Sequence, residues 1–401
     1  MNILVINSGS SSIKYQIFNM PNATAITHGR AERIGEPQSH ITHRWHNAQN
    51  DIQKIQINEP IPDHAHAFNR IATLIQDNSD LGENTKPTAI GHRIVHGGET
   101  FHAPTLIDQN VIDQVRQMNP LAPLHNPANL TGIEVCMTLF PHLPQVAVFD
   151  TAFHHTMPPH AYHYSIPHTW YTDHHVRRYG FHGISHAYIA KQAAAHLHHP
   201  LTSLNLITLH LGNGASATAI KAGQCIDTSM GLTPLEGLMM GTRCGNIDPA
   251  IPFYLARQTG ADPATLENEL NKNSGLKGIC GVNDMREAQR LADSGDPQAR
   301  LAIDMYCYRI KKYIGAYYAA LGHVDAIVFT AGIGENSATV RQNACDGLQA
   351  LGIAIDDDKN TNVSDPVTEI QSDDASIKIL VIATNEEMEI ARQTMDYVNQ
   401  Q

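Results

Sequence analysis

The chain has 401 residues, a formal charge of −12, 42% apolar and 16% charged residues, which suits two domains with sizeable cores and excludes intrinsic disorder. The negative balance argues against broad binding to nucleic acid or an anionic membrane, yet permits a local basic pocket. No apolar stretch approaches a membrane span, no basic-then-apolar leader opens the sequence, and the six cysteines form no CxxC, so reduced thiols and a cytoplasmic location are expected.

Residues 2–18 (NILVINSGSSSIKYQIF) place the apolar run Ile3-Leu4-Val5-Ile6 before a small polar turn and an alternating return through Ile13, Tyr15, Ile17 and Phe18. The pattern predicts two strands joined by a turn whose hydroxyls and N–H groups suit an anion, with Lys14 just beyond as a point charge. A plain hairpin turn would look the same, and no strand–GxxxxGK[ST]–helix pattern marks a Walker A loop. Residues 20–60 add short alternating runs, read as further strands, and 63–76 predict a helix with Ala67, Ile71, Leu74 and Ile75 on one face. In 88–98 (TAIGHRIVHGG) a buried strand runs into a glycine turn. Arg93 inside it is anomalous, because a guanidinium is rarely buried without an anionic partner. Asn126-Pro127 reads as an N-cap with Pro at the first helical position, opening a helix over 127–140 and leaving Leu124 and His125 on the preceding loop. A core strand, 145–149, ends at Asp150, where α/β folds place site residues, although a turn carboxylate would look alike.

Residues 155–175, rich in Pro, His and Tyr, read as loop between two lobes. After RRYGFHG, Ser185 is expected to cap a helix over 186–196. His182 and His186 stand four apart, but His182 precedes that cap, and the 25 histidines show no zinc-site quartet spacing. Residues 204–220 (LNLITLHLGNGASATAI) repeat the pattern of 2–18, with Gly212 aligned to Gly9, His210 to Asn7 and Ala215 to Ser12. A repeat half a chain apart predicts a duplicated domain rather than a solenoid, and two phosphate loops suit a clamp on a polyphosphate.

In 234–249 (PLEGLMMGTRCGNIDP) the glycines flanking Arg243 suggest a mobile, exposed arginine near a ligand. GVNDMR, 281–286, precedes a polar helix, and Tyr306, Ile310, Tyr313, Ile314, Tyr317 and Leu321 form a helical core stripe. A buried strand, 324–330, feeds AGIGEN, whose glycines let backbone approach a flat ligand such as a purine. The acidic stretch 355–375 reads as a solvated excursion. A last strand, 377–383, leads to Glu386 at its end and a closing helix.

The motifs NSGSSSIKY, GHRIVHGG, PLHNP, VFDTAFH, RRYGFHG, HLGNGAS, GTRCGNIDP, GVNDMRE, AGIGENS and ATNEE, in this order, resemble the acetate kinases essentially end to end, within the sugar kinase, actin and heat-shock ATPase superfamily. The resemblance implies an α/β protein of two duplicated ribonuclease-H-like lobes with a cleft between them. The first lobe would be 1–150, with the C-terminal helix 385–401 packing back on it. The second, 151–384, would bind nucleotide and form a homodimer, with the helix at 298–321 a candidate surface. The family implies ATP/ADP as co-substrate, Mg2+ (Mn2+ a possible substitute), and reversible transfer of the γ-phosphoryl group to acetate, giving acetyl phosphate. By matching position, Asn7 and Glu386 would help hold the metal and Lys14 would touch phosphate. His210, Leu211, Gly212, Asn213 and Gly214 would cradle the nucleotide phosphates. Asp284, Met285 and Arg286, with Gly332, Ile333, Gly334, Glu335 and Asn336, would surround adenosine. Arg93 would bind the substrate carboxylate, and Val95, Leu124, Phe181 and Pro234 the acyl group. Arg243 and His182, with His125 a further donor, would stabilise the phosphoryl group in flight. Asp150 is the family's acid/base. A carboxylate substrate is already ionised at neutral pH, so Asp150 is expected to organise an arginine, water or metal at least as much as to move a proton.

Asn246 stands where the family usually carries Asp, removing one charge, and GVNDMR looks one residue short. The nearest rival function is a propionate or butyrate kinase, since one methylene gives only about 1–3 kcal/mol of discrimination. From another class, an actin-like or chaperone-like ATPase would share the phosphate loops but lack the Arg93, His182 and Arg243 set.

Overall fold

The computed structural model describes residues 1–9, 11–20, 22–47, 51–76, 86–123 and 125–401. They divide into two compact units, Met1–Phe153 with Asn385–Gln401, and His154–Thr384. The first contains strands β1 (Asn2–Ser8), β2 (Ser12–Asn19), β3 (Thr24–Glu32), β4 (His40–His46), β5 (Ile52–Asn58), β6 (Ala89–Ile94), β7 (Thr105–Leu106) and β8 (Gln145–Phe149), ordered β5-β4-β3-β2-β1-β6-β8-β7. From β1 to β5 the chain meanders antiparallel, whereas β1, β6 and β8 are mutually parallel. The middle of β1, Ile3 to Ile6, is apolar on both faces because the strand lies inside the sheet and packs against the helices Asn126–Leu139 and Glu386–Asn399. Gly91 shows how closely the C-terminal helix approaches: a Cβ there would lie 2.4 Å from Thr394 Oγ1 and 2.8 Å from Ile390 Cγ2.

The second unit contains β9 (Asn205–Leu211), β10 (Ala215–Lys221), β11 (Gln224–Thr228), β12 (Ala326–Thr330), β13 (Val367–Glu369) and β14 (Lys378–Ile382), ordered β11-β10-β9-β12-β14-β13. Its run β11-β10-β9-β12-β14 has the same sense as β3-β2-β1-β6-β8, an antiparallel hairpin meander continued by parallel strands. The repeat in the sequence is thus a repeat of the whole sheet core. The turns are not identical. Ser8 pairs with Ile13, but Leu211 pairs with Ala215, so the first turn is one residue longer. Gly9 N accordingly donates to Ser12 O (2.7 Å), and Gly212 N to Gly214 O (3.0 Å).

Several expectations need correction. Residues 155–175 are not plain loop: they include the short helices Pro159–Tyr162 and Thr169–His174. The acidic stretch 355–375 adds the edge strand β13 and buries Ile370 and Asn360. Ser185 lies inside the helix Gly183–His196, whose cap is His182 at φ 56°. The helix expected from 127 begins at Asn126, capped by His125, with no side-chain cap bond. The tyrosine stripe, by contrast, is mostly core: Tyr306, Ile310, Ile314, Tyr317 and Leu321 are buried on Pro297–Leu321, while Tyr313 is half-buried with its hydroxyl bonded by Asn246.

Candidate active site

In the first unit, the ends of the adjacent parallel strands β1, β6 and β8 bring Asn7, Arg93 and Asp150 together, and Glu386 joins them from the start of the C-terminal helix. Arg93 Nε and Nη2 both donate to Asp150 Oδ2, at 3.1 and 2.7 Å. Its Nη1 lies 3.5 Å from both Asn7 Oδ1 and Glu386 Oε2. Burial pushes the Asp150 carboxyl up to about 6, against the pull of Arg93 and with a further push from Glu386. Burial also opposes the Arg93 charge, but Asp150 and Glu386 more than reverse it, so the guanidinium stays charged. Asp150 stands in the turn after β8, but its carboxylate is committed to Arg93, and its Oδ1 is buried without a hydrogen-bond partner among the described residues. Lys14, exposed on β2, sits opposite Asn7 in the β1–β2 register. Val95 and His125 are half-buried in this unit, and Leu124 lies outside the described residues.

Two asparagines hold this corner: Asn126, read from the sequence only as a helix cap, and Asn129, not singled out there. Asn126 accepts from His96 N and donates to His96 O, both at 3.1 Å. Asn129 accepts from Val95 N (3.1 Å) and donates to Ser8 O (2.6 Å), tying the phosphate-type turn to the strand end beyond Arg93. Both are buried, so all these amide bonds are needed for satisfaction. Pro-flanked Asn126 looks like a cap, which is why its tertiary role is hidden.

In the second unit the Gly212–Gly214 turn carries the other cluster. A Cβ on Gly214 would lie 3.4 Å from Arg243 Nη1 and 3.5 Å from His182 Nε2, so both side chains converge on that glycine. His182 stacks on His210 with centroids 4.1 Å apart. Arg243 is half-buried, not exposed as its glycine neighbours suggest. Its Nη1 donates to Pro234 O (3.2 Å), and burial lowers its pKa. Gly245 explains the misreading: at φ 66°, a Cβ would lie 2.3 Å from Leu238 O, so this glycine permits close packing. Asn246 accepts from Gly237 N (2.8 Å) and donates to Tyr313 OH (2.9 Å), using both amide arms to brace the loop without a charge. Phe181 is buried and holds His154 through its carbonyl, while Pro234 is half-buried beside Arg243.

Beside the turn lies a pocket of about 610 Å³, within the range of small-molecule sites. Gly212, Asn213, Asp284, Met285 and Arg286 line one part and Gly332, Ile333 and Asn336 another. Asp284 caps the helix Met285–Asp293 and is gripped by Arg286, whose hydrogen bonds hold its carboxyl down at about 2. Gln289 and Ser337 also line the pocket and bond each other at 2.7 Å, a pair no local motif signals. Glu335 and Gly334 are engaged elsewhere: Glu335 Oε1 accepts Thr384 N (3.1 Å), and Gly334 O accepts Arg341 Nη1 (2.9 Å). His210 and Leu211 end β9, leading into the turn.

The two matching sheet cores make this a protein of the duplicated actin-like ATPase fold. The acetokinase family profile matches residues 2–392, and the chain belongs to the acetokinase family. It is 53% identical to an acetate kinase of Syntrophobacter fumaroxidans over 99% of this chain and 97% of that one. Among solved structures it is similar to the acetate kinase of Porphyromonas gingivalis, with TM-score 0.92, 40% identity and 99% of each chain covered. A propionate kinase from Francisella tularensis is similar too, with TM-score 0.92, 44% identity, and 98% and 99% covered.

Proposed function

We propose that the protein is an acetate kinase, transferring the ATP γ-phosphoryl group directly and reversibly to acetate to give acetyl phosphate and ADP. The supporting observation is a pair of unlike arginines. Arg93 is already gripped by Asp150, whereas Arg243 converges with His182 on Gly214 and has no carboxylate partner among the described residues. An ATPase needs one anion site, but a kinase acting on a carboxylate needs a second. Arg93 binds the acetate carboxylate, and Val95, Leu124, Phe181 and Pro234 bound its methyl group. The His210–Gly214 segment and Lys14 hold phosphate, and the pocket beside Gly212 takes adenosine. His182 and Arg243 donate to the transferring phosphoryl, whose catalysis is mostly positioning and charge stabilisation; His125 is a further donor.

Asn7 and Glu386 offer hard oxygen donors suited to Mg2+, or to Mn2+ in its place. Among the described residues no group of three or more His, Cys, Asp or Glu forms a protein cage. That fits an ion completed by water and substrate phosphates, and when bound it neutralises phosphate charge. A homodimer accords with the exposed Ile251, Phe253, Tyr254 and Leu255 on the helix Ala250–Thr259, none of whose residues is buried; a monomer by sedimentation at micromolar concentration would overturn it. No helix among the described residues is long and apolar enough to cross a membrane, and a cytoplasmic location is part of the same proposal.

Hydroxylamine trapping with ATP, magnesium and acetate tests the activity. Acyl hydroxamate is expected, and ATP hydrolysis without it would refute the kinase reading in favour of an ATPase. The likeness to a propionate kinase favours one second reading, and the ratio of kcat/KM for acetate and propionate in the same assay decides between them.

A further inference from the structure

Behind the Gly212–Gly214 turn, four buried or half-buried side chains of the second unit form a continuous hydrogen-bonded row. His182 Nδ1 lies 2.9 Å from Ser216 Oγ, Ser216 Oγ 2.8 Å from His186 Nε2, and His186 Nδ1 2.7 Å from Thr208 Oγ1. His182 is the left-handed residue ahead of the helix Gly183–His196, His186 is one turn along it, and Thr208 and Ser216 stand on β9 and β10. A serine hydroxyl has one proton, so Ser216 can donate to only one of the two rings, and the other must donate to it.

The far end of the row sets the direction. Thr208 Oγ1 also reaches Thr218 O at 3.4 Å, a contact in which the hydroxyl must be the donor. Thr208 then accepts from His186 Nδ1–H. His186 is completely buried, and burial, with His154 and His210 nearby, pushes its pKa well below the usual value, so the ring is neutral with one proton. With that proton on Nδ1, Nε2 accepts the Ser216 hydroxyl, and Ser216 accepts from His182.

We propose that Ser216 is a positioning residue for phosphoryl transfer: by accepting His182 Nδ1–H it fixes the ring, so that the second proton of the imidazolium formed against the phosphoryl oxyanion lies on Nε2 beside Gly214 and is donated from there. The rest of the cluster agrees. Nε2 is the nitrogen 3.5 Å from the Gly214 Cβ position, next to Arg243. The stacked His210 is itself held, its Nδ1 2.8 Å from Ser185 Oγ, which meets Thr384 Oγ1 at 2.8 Å. Turning the His182 ring would break the bond to Ser216 and the stack together. The catalytic consequence rests on the kinase reading above; the proton's place on the ring does not.

Ser216→Ala, Thr208→Val and Thr208→Ser in the full chain test it, each first checked for folding by circular dichroism. Ser216→Ala should lower kcat for acyl phosphate formation ~10²-fold, the lower end for a lost oxyanion donor, with KM for acetate and ATP little changed. Thr208→Val, which keeps the shape but frees His186 Nδ1, should also lower kcat, and Thr208→Ser should restore it. In 15N-labelled wild type, long-range 1H–15N correlation should show His182 Nδ1 protonated, the signal identified by its loss in His182→Gln, and in Ser216→Ala that proton should exchange faster with water because its acceptor is gone. Wild-type kcat in folded Ser216→Ala, or an unprotonated His182 Nδ1 in wild type, would overturn the proposal. If Ser216→Ala does not fold, the kinetics of the Thr208 pair decide: a normal kcat in Thr208→Val would overturn the proposal equally. A wild type that forms no acyl hydroxamate would defeat the kinase reading, and the nitrogen shifts would still decide the ring's state.

Discussion

Replacing Asp150 by Asn asks whether this carboxylate moves a proton or holds an arginine. In the structure one oxygen, Oδ2, takes both Arg93 Nε and Nη2, at 3.1 and 2.7 Å. A hydrogen bond to a charged group is worth about 1.5–3 kcal/mol, and Asp150→Asn weakens the anchor that aims the Arg93 fork at its substrate. Here Glu386 remains 3.5 Å from Nη1 and the Arg93 side chain is 17% exposed, so about 2 kcal/mol is the better expectation. That corresponds to roughly a 30-fold rise in acetate KM, with a smaller fall in kcat. Steady-state hydroxamate kinetics across acetate concentrations measure it, in wild-type and Arg93→Ala backgrounds. If Asp150 works only through Arg93, Asp150→Asn no longer raises acetate KM once Arg93 is gone, and removing one of the two remaining carboxylates should if anything lower it. Acid–base chemistry would instead lower kcat ~10²–10⁴-fold in either background, and that outcome would refute the reasoning. Acidity gives an independent check. The Asp150 carboxyl sits at about 6, so it loses its charge as pH falls through that value, while acetate, with a pKa near that of Glu, remains ionised. Acetate KM should therefore rise below about pH 6 in wild type, and this rise should vanish in Asp150→Asn.

Arg243→Ala should lower kcat ~10³-fold, the lower end of arginine-finger effects, and Arg243→Lys should rescue little because an ammonium lacks the planar fork; near-normal kcat in a folded Arg243→Ala would leave His182 as the main stabiliser. Val95→Ala should improve propionate relative to acetate by opening the acyl pocket, and an unchanged kcat/KM ratio would place Val95 away from the methyl group. Acid should destabilise the fold through buried neutral histidines: burial lowers His92 and His154 to about 4. Their folded pKa values lie below the unfolded value of about 6.5, so each stabilises above that pH and loses up to ~3 kcal/mol as pH falls toward 4. Urea unfolding followed against pH should show a shallower acid loss in His92→Gln, and an unaltered slope would rule that ring out.

What was legible in the sequence was whatever is local. The apolar runs and polar turns of β1–β2 and β9–β10 declared themselves, as did the long helix, bounded by the Asp296 cap, Pro297 and the left-handed Gly322. Arg93 stood out because a charge inside an apolar strand demands a partner, but only the β6–β8 register places Asp150 beside it. Errors arose where a tertiary partner outbid a local one. Asn126 has a capping residue's chemistry, yet its amide is committed to His96. Ser185 looks like a helix cap, yet its hydroxyl serves His210 and Thr384. The acidic stretch after 355 hides Asn360, whose carbonyl and side chain hold the buried Arg341. Composition reports how a segment meets water on average, and one buried asparagine inside it leaves no trace there.

The two arginines differ in how much of their charge is already answered, and this separates their roles. Arg93 arrives at its substrate with Asp150 and Glu386 beside it, so the cluster has little net attraction for an anion and its use is a fixed fork. Arg243 has a carbonyl and a thioether as its side-chain partners, and burial already strains its charge. An oxyanion reaching Arg243 therefore gains most where negative charge is concentrated on the equatorial phosphoryl oxygens, the condition for lowering the barrier rather than tightening the ground state. Loss of Arg93 leaves two carboxylates facing an incoming carboxylate, which repels it before any chemistry begins. The same substitution, Arg to Ala, should consequently appear in KM at one position and in kcat at the other. Matching effects on both parameters at both positions would mean that the charge already paired in the folded chain does not set the division of labour.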